Sequence, residues 1–169
     1  LSLKGDRLVV TAPRHDHNGV DRQGAAFVFD RGANGWAPPA KLVGEPGFLG
    51  FASAVALDGA RVLVGWRHAS EAGAYGVGAI YDFAADGSTW SVAQRVSTGV
   101  GGTSDFFGNS VGIDGAVAVV GAANDDVGSV ADVGSAHVLE RIAGQWTRVA
   151  MLSPAFAGAK SRFGTAVGV

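Results

Sequence analysis

Apolar residues fall in short runs broken by glycine and small polar residues, and the runs return in a fixed order. One run alternates apolar and small positions from Phe51 to Leu57, from Phe107 to Ile113 and from Phe163 to Val169. Lys4-Gly5-Asp6, Asp58-Gly59-Ala60 and Asp114-Gly115-Ala116 follow this position. Glycine between apolar runs favours a two-residue hairpin, because it takes the positive φ of a primed turn. The next run is almost wholly apolar: Leu8 to Val10, Val62 to Val64 and Ala118 to Val120. Continuous β-branched runs of this length predict an inner strand covered on both faces. A polar connection leads to Gly24, Gly78 and Gly134, and a third strand follows over Ala25 to Phe29, Ala79 to Phe83 and Ser135 to Leu139. The fourth runs from Trp36 to Leu42, Trp90 to Val96 and Trp146 to Leu152. Pro38 and Pro39 place it at the rim, where a missing N–H is tolerated. No stretch has a helical period, so the pattern predicts an all-β fold.

The order of strands repeats three times. Gly5, Gly59 and Gly115 are separated by 54 and 56 residues, and so are Gly24, Gly78 and Gly134, and again Trp36, Trp90 and Trp146. A period held by three independent markers defines a repeat architecture, in which each unit buries its apolar faces by stacking on its neighbours. Four antiparallel strands in about 55 residues describe a blade of a β-propeller. The expected blade repeats are 1–54, 55–110 and 111–169 of a single repeat domain. The Trp series is expected to be packing, because symmetric positions are most simply structural. Leu1 to Leu3 take the same place in the repeat as Val55 to Leu57 and Val167 to Val169. Propellers close with about four to eight blades. The expectation is therefore either a section of a longer array or a half-ring whose copies pair into six blades. In such a pair, the segment from Phe163 would compete with the partner's first strand.

Composition narrows the function. The net charge is −2 and charged residues make up 17% of the chain, so no polybasic surface points to nucleic acid. No apolar stretch approaches the roughly 20 residues that span a bilayer. The absence of cysteine removes disulfides and thiolate chemistry. The chain starts at Leu1 without a Met or a signal peptide, so targeting information is expected to have been removed or to lie upstream.

The units resemble the FG-GAP repeat of integrin-type β-propellers. Phe107-Gly108 and Phe163-Gly164 carry the Phe-Gly half, with Phe51-Ala52 as a worn copy. The Gly-Ala-Pro half stands as Thr11-Ala12-Pro13, Gly65-Trp66-Arg67 and Gly121-Ala122-Ala123. Leu3 to Ala12 is similar to the core of bacterial secreted members. The resemblance implies a propeller from an extracellular or cell-surface protein, in a family that includes adhesion receptors and lectins. The family's calcium loop, between the first and second strands, has shrunk here to the Gly5, Gly59 and Gly115 turns. Such a turn cannot supply the six to eight oxygens that calcium needs.

Candidate chemistry lies in the connection between the second and third strands. Asp16, Asn18 and Asp21 in the first unit, and Asp125, Asp126 and Asp132 in the third, offer oxygens for Ca2+, though all are also ordinary turn formers. His15 and His17 alternate and could share a side. In the second unit, Trp66, Arg67 and His68 break the pattern and form a candidate ligand-binding patch for sugar or carboxylate; the alternative is that Trp66 packs between blades beneath Arg67. No nucleophile elbow, zinc-protease or phosphate-loop motif is present, so no enzyme is expected. The expected function is a binding or assembly module that engages a protein or ligand through the loops of one face. The alternatives are a lectin with sites between blades and a self-assembling scaffold.

Overall fold

A computed structural model describes residues 1–45, 49–98, 102–155 and 158–169. Every regular element in it is a strand. The first blade contains β1 (Ser2–Lys4), β2 (Arg7–Ala12), β3 (Ala25–Gly32), β4 (Gly35–Trp36) and β5 (Ala40–Leu42). β4 and β5 both pair with β3 and together make the fourth strand, interrupted where Pro38 and Pro39 cannot donate to the ladder. The second blade holds β6 (Ala54–Asp58), β7 (Arg61–Trp66), β8 (Ala79–Asp86) and β9 (Thr89–Val96) in that order. The third holds β10 (Phe107–Asp114), β11 (Val117–Ala122), β12 (Ser135–Ile142) and β13 (Gln145–Leu152), again in sequence order. All pairings within the blades are antiparallel. The all-β propeller fold expected from the pattern is the one observed. The sheets are offset from the frame 1–54, 55–110 and 111–169, since β10 straddles its second boundary.

The first hairpins close as their glycines require. Lys4 faces Arg7, Asp58 faces Arg61 and Asp114 faces Val117 across two-residue turns. These turns leave no room for a cation loop between the first two strands of a blade.

Two apolar cores lie between blades, not within them. The first joins Val9, Val28 and Leu42 of blade one to Val62, Val64, Tyr81 and Phe83 of blade two, with Phe51 and Trp66 among them. The second joins Leu63 and Ile80 of blade two to Val111, Val120, Leu139 and Trp146 of blade three. Alternation along β7 thus sends Val62 and Val64 to one neighbour and Leu63 to the other. That is why the inner strands read as continuous apolar runs.

The blades meet at their backbones. Gly78 pairs in parallel with Phe107, and Gly134 with Phe163. A Cβ on Gly78, at φ +89, would collide with the Phe107 carbonyl, and a Cβ on Gly65 with the Gly108 carbonyl. The two halves of the repeat signature therefore touch between blades two and three, at Gly65 and Gly108.

The Trp series is not uniform. Trp146 is buried on blade two, where its Nε1 donates to Asp82 Oδ2 at 3.0 Å and its backbone N to Gln94 Oε1 at 2.6 Å. Trp90 lies against blade one, with the Arg7 guanidinium 5.0 Å from its ring. Each of these rings packs on the preceding blade. Trp36 has no such neighbour and is 48% exposed, so the packing expectation does not hold there.

The first strands line up around one axis, β1 beside β6 and β6 beside β10. At their tips Lys4 Nζ reaches Asp58 Oδ1 at 2.6 Å and Asp114 Oδ1 at 3.6 Å. Gly115 N donates to Asp58 Oδ2 at 2.6 Å, so one carboxylate links all three blades. The Lys4 hydrogen bond and then the Gly115 N–H hold the Asp58 carboxyl below its usual range. A depressed folded-state pKa stabilises above the unfolded value, about 3.9, and that contribution is lost as pH falls through the folded value. Asp58→Asn is accordingly expected to lower the melting temperature at neutral pH, with the gap to the parent closing below about pH 4. Melting curves from pH 7 to pH 2 check this, and a gap that does not change with pH would remove Asp58 as the linking charge.

Candidate functional site

The three connections between second and third strands share one build. Each doubles back through a small antiparallel bridge: His17 with Val20, Glu71 with Ala74, and Val127 with Val130. Each then fastens to the segment entering the next blade. Gly50 N donates to Arg22 O at 2.9 Å, Phe106 N to Gly76 O at 2.9 Å and Arg162 N to Asp132 O at 3.2 Å. Gly50, Phe106 and Arg162 occupy equivalent places with φ of 74, 60 and 52. The loops thus gather on one face, each spanning an inter-blade cleft.

The candidate cation ligands serve these turns. Asp16 Oδ1 accepts from Arg22 N at 2.9 Å, and its counterpart Asp126 Oδ1 accepts from Asp132 N at 2.9 Å. The Arg22 N–H and then the neighbouring Asp21 hold the Asp16 carboxyl below its ordinary value. Asn18 takes the left-handed conformation that Ala72 and Gly128 take in the other loops. Asp132 supplies its backbone N–H to Asp126, and Asp125 faces a different cavity. Among the described residues no three Asp, Glu or His side chains gather around a common point. His15 packs edge-on against Phe27 at 5.3 Å, whereas His17 Nδ1 lies 2.9 Å from Lys41 Nζ.

Of the second-unit patch, Trp66 must be removed. Its side chain is 1% exposed, lies edge-on to Phe51 at 5.8 Å and donates Nε1 to Leu49 O at 2.9 Å. Alternation along β7 turns it into the first core, so it cannot touch a ligand at the surface.

Arg67 and His68 do reach the surface. They line a cleft of about 370 Å³ between the first two blades, together with Pro13, Arg14, Arg22 and Gly50. His68 Nε2 accepts from Arg67 Nε at 3.1 Å, and its Nδ1 meets the Tyr75 hydroxyl at 3.2 Å. Burial first, and then the Arg67 charge, depresses the His68 pKa, so the ring is neutral at pH 7. A neutral ring accepting at Nε2 carries its proton at Nδ1, towards Tyr75.

The corresponding cleft between blades two and three is filled. Phe106, in the place of Gly50, lies edge-on to His68 at 5.3 Å, and Gly76 stands where Arg22 does. Ala123 and Asn124 replace Arg67 and His68. Arg14, Arg22 and Gly50 were not singled out by sequence reasoning. The signal for them was a comparison of units at the residue before each Phe: Gly50, Phe106 and Arg162.

A smaller cavity of about 190 Å³ borders Asp105, Asp125, His137 and Arg148. Ser135 Oγ lies 2.9 Å from His137 Nε2, a Ser–His pair, yet Ser135 has no exposed surface and His137 is 2% exposed. The other ring nitrogen faces Arg148 at 3.4 Å, not a carboxylate that could orient a general base.

Stacked four-stranded blades around an axis, with loops gathered on one face, place the chain among β-propellers. Residues 90–139 match the FG-GAP repeat family, so this part of the chain carries an FG-GAP repeat. The match runs from Trp90 in the rim strand of blade two to Leu139 in blade three, across their interface. No curated protein matches the chain.

Trp66→Ala is expected to cost about 3–5 kcal/mol of stability by opening a core cavity. Denaturant unfolding checks this, and a variant as stable as the parent would show that the ring does not belong to the core.

Proposed function

We propose that the chain is a non-enzymatic binding module of an extracellular or cell-surface protein, and that its ligand enters the cleft between the first two blades. One observation carries this. The repeat builds the same cleft twice, and only the first is open, because Gly50 stands where Phe106 fills the second. An accessible concavity of this volume with several converging polar groups suits a small ligand or the end of a larger one. The site lies between blades, as a lectin reading expects, but Arg14, Arg22, Arg67 and His68 take the part first given to Trp66. Gly50→Phe places in this cleft the ring that Phe106 supplies in the second, at a left-handed position and with its Cβ 3.3 Å from His68 Cδ2, so the cleft closes at some cost in stability. On arrays of neutral and acidic glycans and peptides, ligands retained by the parent are expected to be lost by Gly50→Phe under conditions where its melting curve shows it still folded. Ligands retained equally by both proteins would place the site elsewhere.

A second reading, self-assembly, is favoured by the exposed Trp36 in β4 and by the exposed Leu1 and Leu3 at the opposite edge of the same sheet. Trp90 and Trp146 each cover the preceding blade, so the Trp36 face fits a further blade of the same kind. We infer that a second copy supplies it, so that two chains make six blades. Light scattering is expected to give twice the mass of one chain, and one chain's mass for Trp36→Asp. A single-chain mass for the parent at all concentrations would exclude this pairing.

A further inference from the structure

We propose that the cleft between the first two blades is an oxyanion site, selecting a tetrahedral group such as a sulfate or phosphate ester on the ligand. This rests on the cleft being the binding site and names the chemistry that it selects.

The chain carries a net charge of −2, yet the charged side chains lining this cleft are all arginines. They come from two connections: Arg14 and Arg22 from the one between β2 and β3, and Arg67 from the one after β7. Four arginines outside the cleft are held by carboxylates: Arg7 by Asp30, Arg31 by Asp6, Arg61 by Asp82 and Arg95 by Glu45 and Glu71. Among the described residues Arg14 has no ion-pair partner, and Arg22 has only the adjacent Asp21 at 3.5 Å. Arg67 gives its Nε to His68 and leaves its remaining guanidinium N–H groups for a ligand.

The number of guanidinium groups selects the anion. A carboxylate presents two coplanar oxygens and is satisfied by one guanidinium fork. A tetrahedral ester presents three free oxygens and can be met by forks from three separate side chains. With Trp66 buried, the described residues lining the cleft include no Trp, Tyr or Phe on which a neutral sugar could stack, and recognition there falls to charge. His68 is a positioning residue: its Nε2 lone pair is committed to Arg67, and Tyr75 stacks on it at 5.8 Å. Gly50 leaves the entrance free of a side chain.

The test is calorimetric titration of the intact chain at low ionic strength with sodium sulfate, inorganic phosphate and acetate. Histidine ring resonances are followed in parallel. Sulfate or phosphate is expected to bind saturably at one site and to move the His68 resonances, with acetate at least about tenfold weaker. Arg14→Gln and Arg67→Gln are each expected to weaken binding about tenfold at unchanged melting temperature. Arg148→Gln, at the smaller cavity, should leave it unchanged. N-acetylglucosamine 6-sulfate and glucose 6-phosphate then separate a sulfated from a phosphorylated source. No saturation, equal affinity for acetate, or parent-like affinity in both cleft variants would overturn the proposal. An array ligand lost in Gly50→Phe but indifferent to the arginine variants would overturn the oxyanion chemistry alone. One retained by Gly50→Phe would overturn the binding cleft with it.

Discussion

The fold depends on one close approach, the backbone of each blade's entering Phe against the glycine that precedes the neighbour's third strand. Gly78 on Phe107 and Gly134 on Phe163 are bridged in parallel, although every sheet is antiparallel. The bridge joins one sheet to the next and sets how near two sheets can come. Once that distance is fixed, β-branched side chains on both faces of the inner strands fill the gap. A four-stranded blade alone would leave both faces wet, so each blade is completed by its neighbours. The family match has the same logic, since residues 90–139 run across an interface and do not coincide with a sheet.

Charge acts where apolar packing is thinnest. At the axis the hairpin tips offer little surface, and Asp58 ties Lys4 and Gly115 together there. Further from the axis, Arg61 of β7 pairs with the buried Asp82 of β8, which also accepts from Trp146 of the next blade. Equivalent positions in the other blades hold Val28 and Val138, so this polar link belongs to one interface only. The interfaces share a backbone plan and differ in their side chains.

That distinction explains what was legible in the sequence. Strand order, the primed turns at Gly5, Gly59 and Gly115, and the rim position of the Pro38–Pro39 strand follow from local chemistry and were readable. The fate of Trp66 was not, because its exposure depends on which face of β7 meets Phe51, a contact 15 positions away in sequence. Trp36, Trp90 and Trp146 share one position in the repeat, but Trp90 and Trp146 pack on a preceding blade and Trp36 has none among the described residues. The aspartates of the first and third loops looked like cation ligands because turn formation and cation binding draw on the same residues. Asp16 and Asp126 spend an oxygen on the backbone N–H six positions on.

A repeat fold converts a single side-chain difference into a site. The connection before each entering Phe is held left-handed by its bond to the preceding loop, whichever residue occupies it. Its side chain therefore has one place to go, the mouth of the inter-blade cleft. Phe106 fills that mouth and packs on His68, whereas Gly50 leaves it open beneath Arg14 and Arg22. Because the backbone is fixed by the interface glycines, neither choice disturbs the stacking that holds the blades together. Recognition can vary from cleft to cleft while the architecture stays constant. Function is accordingly sought where the three units disagree, and stability where they agree.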